Sequence, residues 1–130
     1  MKNEEKDVEG IKADEHFIDM FKEIDLMYDN IKENTDSAFE ILKLFENNKD
    51  QESVDVLRIT CSNILDCEEI IKKQIENFEK IKKEILNSKK IDDLKLKEKE
   101  VEDFYKKIKK YEKDSSSQFK ELLKLSSNIK

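Results

Sequence analysis

The sequence contains no proline and no tryptophan, and its single glycine, Gly10, stands near the N-terminus. Proline breaks helices and glycine weakens them, so long helices can run through this chain without interruption. A chain with one glycine also lacks the glycine-rich loops that bind phosphate groups. These absences favour an all-helical protein and exclude nucleotide-binding loops of that kind.

Residues that bind metals or carry out redox chemistry are scarce. His16 is the only histidine, and at the start of the first predicted helix we expect it to be solvated. Cys61 and Cys67 are six residues apart, about 9 Å along one helix, which is beyond the roughly 7 Å reach of a disulfide. Both are predicted to stay reduced and to pack as small apolar residues. The sequence therefore predicts no catalytic residues, no metal, no cofactor and no enzyme activity.

Charge is abundant and unevenly distributed. Charged residues make up 45% of the chain and hydrophobic residues 36%, with a net charge of −6. Residues 1–50 hold 15 acidic and 7 basic side chains, whereas residues 91–130 hold 9 acidic and 11 basic ones. This asymmetry favours the first and last segments lying side by side; alternatively, the charges only keep the outer faces of the helices solvated. A net acidic chain is poorly suited to binding the phosphate backbone, so we expect no nucleic-acid partner.

Three stretches of the chain carry apolar residues spaced alternately three and four residues apart, with few exceptions. This spacing places one apolar stripe along one side of an α-helix. No stretch of about 18 apolar residues and no secretory signal is present, so neither a membrane span nor a signal peptide is predicted. The stripes include Phe17, Ile24, Ile31 and Ala38; then Leu57, Ile64, Ile71 and Phe78; then Val101, Ile108, Leu122 and Leu125.

The pattern divides the chain into a tail and three long helices. Residues 1–12 are charged and aperiodic and are predicted to form a flexible tail; the helices are predicted at about 13–46, 51–86 and 92–128. Asp50 or Ser53 is expected to cap the second helix. Short connections between helices of similar length make neighbours antiparallel, which predicts an all-α, up-down-up antiparallel three-helix bundle. Two helices with an extended third helix that dimerises remain the structural alternative.

Polar residues interrupt the stripes at Asn34, Glu68 and Lys82. They either reflect imperfect packing near the edge of the bundle or control register, as a buried polar residue does in coiled coils. Both interpretations remain open at the level of sequence.

The first helix resembles a known family. Residues 17–34, FIDMFKEIDLMYDNIKEN, are similar to the first helix of the syntaxin N-terminal domain, where large apolar residues lead into an I-x-x-I-x-x-N core. The second and third helices continue the resemblance, which covers roughly residues 16–120. Their matching positions are Asn63, Ile64, Ile71, Ile75 and Phe78, followed by Phe104, Ile108 and Tyr111, which are similar to an F-x-x-x-M-x-x-Y stretch.

The resemblance implies the regulatory Habc domain of a Qa-SNARE. That domain folds back onto its own SNARE helix or is held by an SM-type protein, and it controls when membrane-fusion complexes with other SNAREs assemble. The implied location is the cytoplasmic face of a membrane, reached only through a C-terminal anchor that this chain does not contain. No small-molecule substrate is implied.

A partner-helix groove is predicted between the second and third helices. In a hairpin turning near Lys89, residue i should lie opposite residue 178 − i, which brings six apolar residues off the main stripes into pairs. Such a rim would accept a fourth amphipathic helix; alternatively, these residues only widen the stripes. The predicted groove residues are Val56, Ile70, Ile81, Leu96, Tyr105 and Leu123.

Two other functions are compatible with the sequence. One is a structural coiled-coil scaffold that dimerises through the apolar stripes. The other is a bacterial helical secretion or cell-envelope protein, which is less well supported because a signal peptide and a Trp-x-Gly hairpin turn are both lacking.

Overall fold

A computed structural model describes the backbone of residues 2–87 and 91–129 and the side chains of residues 16–87, 95 and 97–129. This part of the chain contains three α-helices and no strand: α1 at Lys2–Phe45, α2 at Gln51–Asn87 and α3 at Ile91–Ser127. All three helices pack against one another. The predicted all-α three-helix bundle is confirmed, and every helix end except the first lies within one residue of its predicted position.

The start of α1 differs from the prediction. The helix begins at Lys2, so the backbone is helical through most of the segment expected to be a flexible tail, residues 1–12. Aperiodic charge removes the apolar stripe but does not stop a helix, because Glu and Lys are good helix formers and proline is absent. Side chains before His16 lie outside the described part, so a tail that stands apart from the bundle stays a prediction.

Asp50 caps the N-terminus of α2, as the sequence suggested. Its Oδ1 accepts a hydrogen bond from the Ser53 backbone N–H at 3.3 Å, and its Oδ2 accepts one from the Ser53 hydroxyl at 2.6 Å. These bonds favour the ionised carboxylate and lower the pKa of Asp50. Asn48 completes the turn, since its Oδ1 accepts from the Asp50 backbone N–H at 2.9 Å. The cap fixes the point at which the chain reverses from α1 to α2.

Helices α1 and α3 run parallel. The Tyr105 hydroxyl donates to Glu23 Oε2 at 2.5 Å, and Asn30 Nδ2 donates to Glu112 Oε2 at 3.0 Å. Both pairs are separated by 82 residues, and a constant separation is possible only when the two helices point the same way. The first and last segments therefore lie side by side, as the charge distribution favoured. The contacts described above between them are hydrogen bonds and not ion pairs.

Helix α2 runs antiparallel to α1. The rings of Phe21 and Phe78 meet edge-on with centroids 5.6 Å apart. Nearer the other end of the pair, Cys61 Sγ donates to the Ala38 carbonyl at 3.4 Å. From the first contact to the second, the residue number increases on α1 and decreases on α2. The two helices are therefore antiparallel, which gives the up-down-up order. Burial raises the pKa of the Cys61 thiol, in keeping with a protonated donor. Neither Cys61 nor Cys67 is in a disulfide.

The core follows a seven-residue repeat on each helix. In a bundle of nearly aligned helices this spacing keeps the same face turned toward the partners. The buried residues at this spacing are Phe17, Ile24, Ile31 and Ala38 on α1; Leu57, Ile64, Ile71, Phe78 and Ile85 on α2; and Val101, Ile108, Ser115 and Leu122 on α3.

A polar layer divides the buried side chains into two apolar clusters. One cluster contains Ile31, Ile71 and Ile108, and the other contains Ala38, Ile64 and Leu122. Between them, the Asn34 amide donates to the Ser115 hydroxyl at 3.2 Å and to the Ser116 hydroxyl at 3.3 Å. Ser115 is fully buried and stands where the repeat would otherwise place an apolar residue.

The polar layer links the two parallel helices specifically. The neighbouring Thr35 is also buried and satisfies its hydroxyl by donating to the Ile31 carbonyl at 3.1 Å. A shift of α3 by one turn would remove Asn34 from both serines and leave polar groups unpaired, which costs free energy. This arrangement favours the register-control interpretation of Asn34 over imperfect packing.

The other two polar stripe residues lie on the side of α2 that faces α1. Lys82 is half-buried, with its ammonium 5.5 Å from the centroid of the Phe21 ring, a cation–π geometry. Glu68 is half-buried too, and burial followed by the charge of Asp36 raises the pKa of its carboxyl. Each is accommodated at the edge of the core without an ion pair to any of the described side chains.

Removing a buried leucine should destabilise the bundle far more than removing an exposed one. Leu122 is fully buried, whereas Leu44 is 80% exposed. Leu122→Ala is expected to lower the free energy of unfolding by about 2–5 kcal/mol. Leu44→Ala makes the same chemical change and should alter it by less than about 0.5 kcal/mol. Urea denaturation measures both; equal losses would contradict the described core.

Glu68 should make stability depend on pH. Its pKa is raised above the ordinary value near 4.5 by burial and by Asp36, with Lys32 and Lys72 opposing. The contribution of Glu68 to the free energy of unfolding is therefore fully present below the ordinary pKa of the carboxyl. It is lost as pH rises through the raised pKa. Glu68→Gln stays neutral, so it should be more stable than the parent protein at pH 7 and lose that advantage below about pH 4.

The exposed neighbour Glu69 provides the matched control for this prediction. Glu69→Gln should change stability by less than about 0.5 kcal/mol at pH 7. A Glu68→Gln protein that is less stable than the parent at pH 7 would contradict the account.

Candidate partner-helix groove

An open cleft of about 290 Å³ lies between α2 and α3. Its floor is apolar and contains Phe78, Ile81 and Phe104. The rings of Phe78 and Phe104 stack with centroids 4.5 Å apart and planes 9° apart. The rim is polar, and its residues are Gln74, Asn77, Glu100, Asp103 and Lys107. We call this set of eight residues the α2/α3 cleft.

The register of the α2–α3 hairpin differs from the predicted one. Phe78 stacks on Phe104, and Glu84 forms an ion pair with Lys97. These residue numbers add to 182 and 181, whereas a turn centred on Lys89 predicted 178. The predicted pairs are therefore wrong by about one helical turn.

Side-chain direction explains this difference. Side chains on an α-helix point toward its N-terminus, so a contact is made by a residue about one position further along the chain. In an antiparallel hairpin this displacement occurs on both helices, so both raise the sum of the two contacting residue numbers. The α1–α2 hairpin shows the same shift: Phe21 and Phe78 add to 99, whereas a turn centred on Asn48 predicts 96.

The predicted groove residues of α2 lie beside α3. Ile81 forms part of the cleft floor. Ile70 and Val56 precede Glu84 by two and four heptads, so they share the face of α2 on which Glu84 pairs with Lys97 of α3. Ile70 is 40% exposed and Val56 is 44% exposed. The apolar wall on α2 therefore extends beyond the cleft toward the start of the helix.

Two of the predicted groove residues of α3, Tyr105 and Leu123, lie on the side of α3 that faces α1. The Tyr105 hydroxyl bonds to Glu23 of α1, so Tyr105 lies at the α1–α3 boundary. Leu123 follows Ser116, which bonds to α1, by one heptad and lies on the same side of α3. The side chain of Leu96 lies outside the described residues. These contacts do not support the assignment of Tyr105 and Leu123 to the groove, because apolar character alone does not reveal which neighbouring helix a flank faces.

Charged side chains of α3 take the place of the expected apolar ones. Glu100, Asp103 and Lys107 line the α3 side of the cleft around the ring of Phe104. Sequence reasoning passed over them as part of a solvated surface. The sequence did carry a signal for these three residues. They are spaced three and four residues apart on either side of Phe104, which places all of them on one flank of that core residue. The groove is therefore amphipathic and not an apolar trough.

Gln74, which lines the cleft, carries an unsatisfied hydrogen-bond acceptor. Its side-chain oxygen Oε1 is buried and has no hydrogen-bond partner among the described residues. Buried polar atoms in folded proteins are nearly always paired, and an unpaired one costs about 1–3 kcal/mol. Because this oxygen is buried, it lowers the stability of the fold and is not exposed to a molecule bound in the cleft.

Replacing Gln74 by an apolar residue of similar shape should stabilise the free protein. Gln74→Met removes the unpaired oxygen and is expected to raise the free energy of unfolding by about 1 kcal/mol. Gln118 is half-buried on α3 and has no unpaired buried atom, so Gln118→Met is the control and should give no gain. Urea denaturation separates the two outcomes, and a loss of stability in Gln74→Met would contradict the assignment.

No protein-family model matches this chain, and no curated protein or solved structure matches it significantly. Within the residues that the structure describes, no helix has a stretch apolar enough to cross a membrane. The candidate site is therefore argued from the geometry of the bundle.

Proposed function

We propose that this chain is a non-enzymatic helical interaction domain whose α2/α3 cleft binds one amphipathic helix. The observation that carries the proposal is the cleft itself, where an apolar floor runs between polar rims. An amphipathic helix would lay its apolar ridge on Phe78, Ile81 and Phe104 and turn its polar flanks toward the rims.

Charges on the rim suit a helix with mixed polar flanks. Glu100 and Asp103 are acidic and Lys107 is basic, so basic and acidic side chains of a bound helix each have a complementary position. Charge pairs at an exposed rim contribute mainly to orientation and specificity. Most of the binding free energy would come from apolar surface, at about 25 cal/mol per Å² before the cost of ordering the bound helix is subtracted.

The resemblance to syntaxins suggests the occupant. On that basis the domain is the regulatory part of a syntaxin-like Qa-SNARE, and the bound helix is its own SNARE helix. Binding would keep that helix from other SNAREs and so control the assembly of membrane-fusion complexes. An SM-type protein is the second proposed partner, and the proposed location is the cytoplasmic face of the membrane that carries the anchor.

The coiled-coil scaffold has less support than the interaction domain. A scaffold that dimerises through the apolar stripes needs those stripes at its surface. Ile31, Ile71 and Ile108 lie in one buried cluster formed by a single chain. Sedimentation equilibrium tests this alternative, which requires a dimer whose population rises with concentration.

Binding of a SNARE-helix peptide tests the proposal. A synthetic peptide spanning the SNARE helix of a syntaxin should bind the full chain one to one in isothermal titration calorimetry, and a scrambled peptide of the same composition should not. Ile70→Glu adds a charge to the apolar wall, and Ile81→Ala shortens the floor. Each should weaken binding about tenfold or more, as expected where an apolar anchor is lost.

Two exposed leucines away from the cleft supply matched controls. Leu26 on α1 is 62% exposed, and Leu123 on the α1 side of α3 is 45% exposed. Leu26→Glu and Leu123→Glu should leave the affinity within about twofold. Equal weakening by all four substitutions, in proteins that stay folded by circular dichroism, would contradict the cleft as the binding site. Equal binding of both peptides would contradict the SNARE assignment while retaining a helix-binding groove.

A further inference from the structure

Three side chains that can ligate a metal meet on the α1–α3 side of the bundle, outside the α2/α3 cleft. His16 belongs to α1, and Glu98 and Glu102 belong to α3. One ring nitrogen and one oxygen from each carboxylate lie within 4.8 Å of one another. The cluster thus combines one imidazole nitrogen donor with two carboxylate oxygen donors.

The parallel register of α1 and α3 brings this cluster together. His16 and Glu98 are 82 residues apart, the same separation as Glu23 and Tyr105. Glu98 also precedes Tyr105 by one heptad, which places it on the face of α3 that contacts α1. Glu102 follows Glu98 by four residues and therefore lies on the next turn of that face. The same repeat that builds the bundle core positions all three ligands.

The core anchors the α1 side of the cluster. Phe17 follows His16 directly and is only 3% exposed. Its ring centroid lies 6.2 Å from that of His16. The buried Phe17 side chain fixes the backbone of α1 at this point and so limits the positions open to the His16 imidazole, although the imidazole itself is exposed.

The two carboxylates lack a cationic partner among the described side chains. The ion pairs in that part of the chain are Arg58–Asp55 and Lys97–Glu84. Neither includes Glu98 or Glu102, so no basic nitrogen of the described side chains lies within 4.0 Å of either carboxylate. Two neighbouring negative charges repel each other, and a bound cation would remove that repulsion.

We infer that His16, Glu98 and Glu102 form a binding site for Zn²⁺ or a similar divalent transition metal. Imidazole and carboxylate are both ordinary zinc ligands, and three protein ligands with one water make a common four-coordinate site. Mg²⁺ and Ca²⁺ prefer oxygen ligands alone. Donors around a tetrahedral Zn²⁺ lie about 3.3 Å apart, so small side-chain rotations close the present cluster around an ion.

The bound metal would link α1 to α3 near the connection between α2 and α3. Its ligands come from positions 82 residues apart, so the unfolded chain has no preformed site. A metal that binds only the folded state stabilises that state as its concentration rises. This inference does not depend on the proposed function, because the cluster lies outside the cleft.

The single histidine gives a direct test. His16 is the only imidazole in the chain, so one set of ring resonances in the proton NMR spectrum reports on the site when the protein carries no polyhistidine tag. Titration with ZnCl₂ should shift or broaden these resonances with one-to-one stoichiometry, and MgCl₂ at the same ionic strength should not. Zinc binding that leaves the imidazole resonances unchanged would overturn the proposal, as would the absence of binding.

Substitutions at the ligands complete the experiment. His16→Asn and the double change Glu98→Gln with Glu102→Gln should each weaken zinc binding at least tenfold in calorimetry, since even outer-shell partners of a metal are worth about 10–100-fold. Glu121→Gln removes an exposed carboxylate elsewhere on α3 and should leave the affinity within about twofold. Equal affinity in His16→Asn and the parent protein would show diffuse binding to acidic side chains and would overturn the site.

Discussion

The repeat of buried residues every seven positions is the constraint on which the rest of this structure depends. With 45% charged residues, each helix has only one face that can leave water. Three such faces can be buried together in one bundle with nearly aligned axes. Val101, Ile108 and Leu122 show the repeat on α3, and the fully buried Ser115 occupies its remaining position. The absence of proline allows each helix to run through this repeat without a break.

Polar interactions give the bundle its specificity. Apolar residues at regular intervals tolerate a slip of one heptad, whereas the bonds from Asn34 to Ser115 and Ser116 form in one register only. That register places His16 beside Glu98 and Tyr105 beside Glu23. The register of α2 against α3 is seen separately in the stacked rings of Phe78 and Phe104, with the cleft open above them. The polar layer and the proposed metal site are therefore consequences of one alignment of α1 with α3.

The sequence predicted the fold well and the candidate groove only in part. Helix bounds and core residues follow from local periodicity, so α2 and α3 were placed to within one residue. The N-terminal extension of α1 was missed because helical propensity continues where the apolar stripe stops. The groove depends on which neighbour each flank faces. Tyr105 bonds to Glu23 of α1, and neither hydropathy nor the midpoint of a turn carries that information. Glu100, Asp103 and Lys107 were overlooked for the same reason.

An isotope-filtered NOE spectrum tests the central claim most directly. Labelled and unlabelled chains would be unfolded together, refolded, and examined for contacts between protons of different chains. The account predicts that contacts among the rings of Phe21, Phe78 and Phe104 arise within one chain, so the filtered spectrum should contain none of them. Filtered cross-peaks between these rings would show that the apolar stripes close between molecules. That result would contradict the single-chain bundle and the groove derived from it.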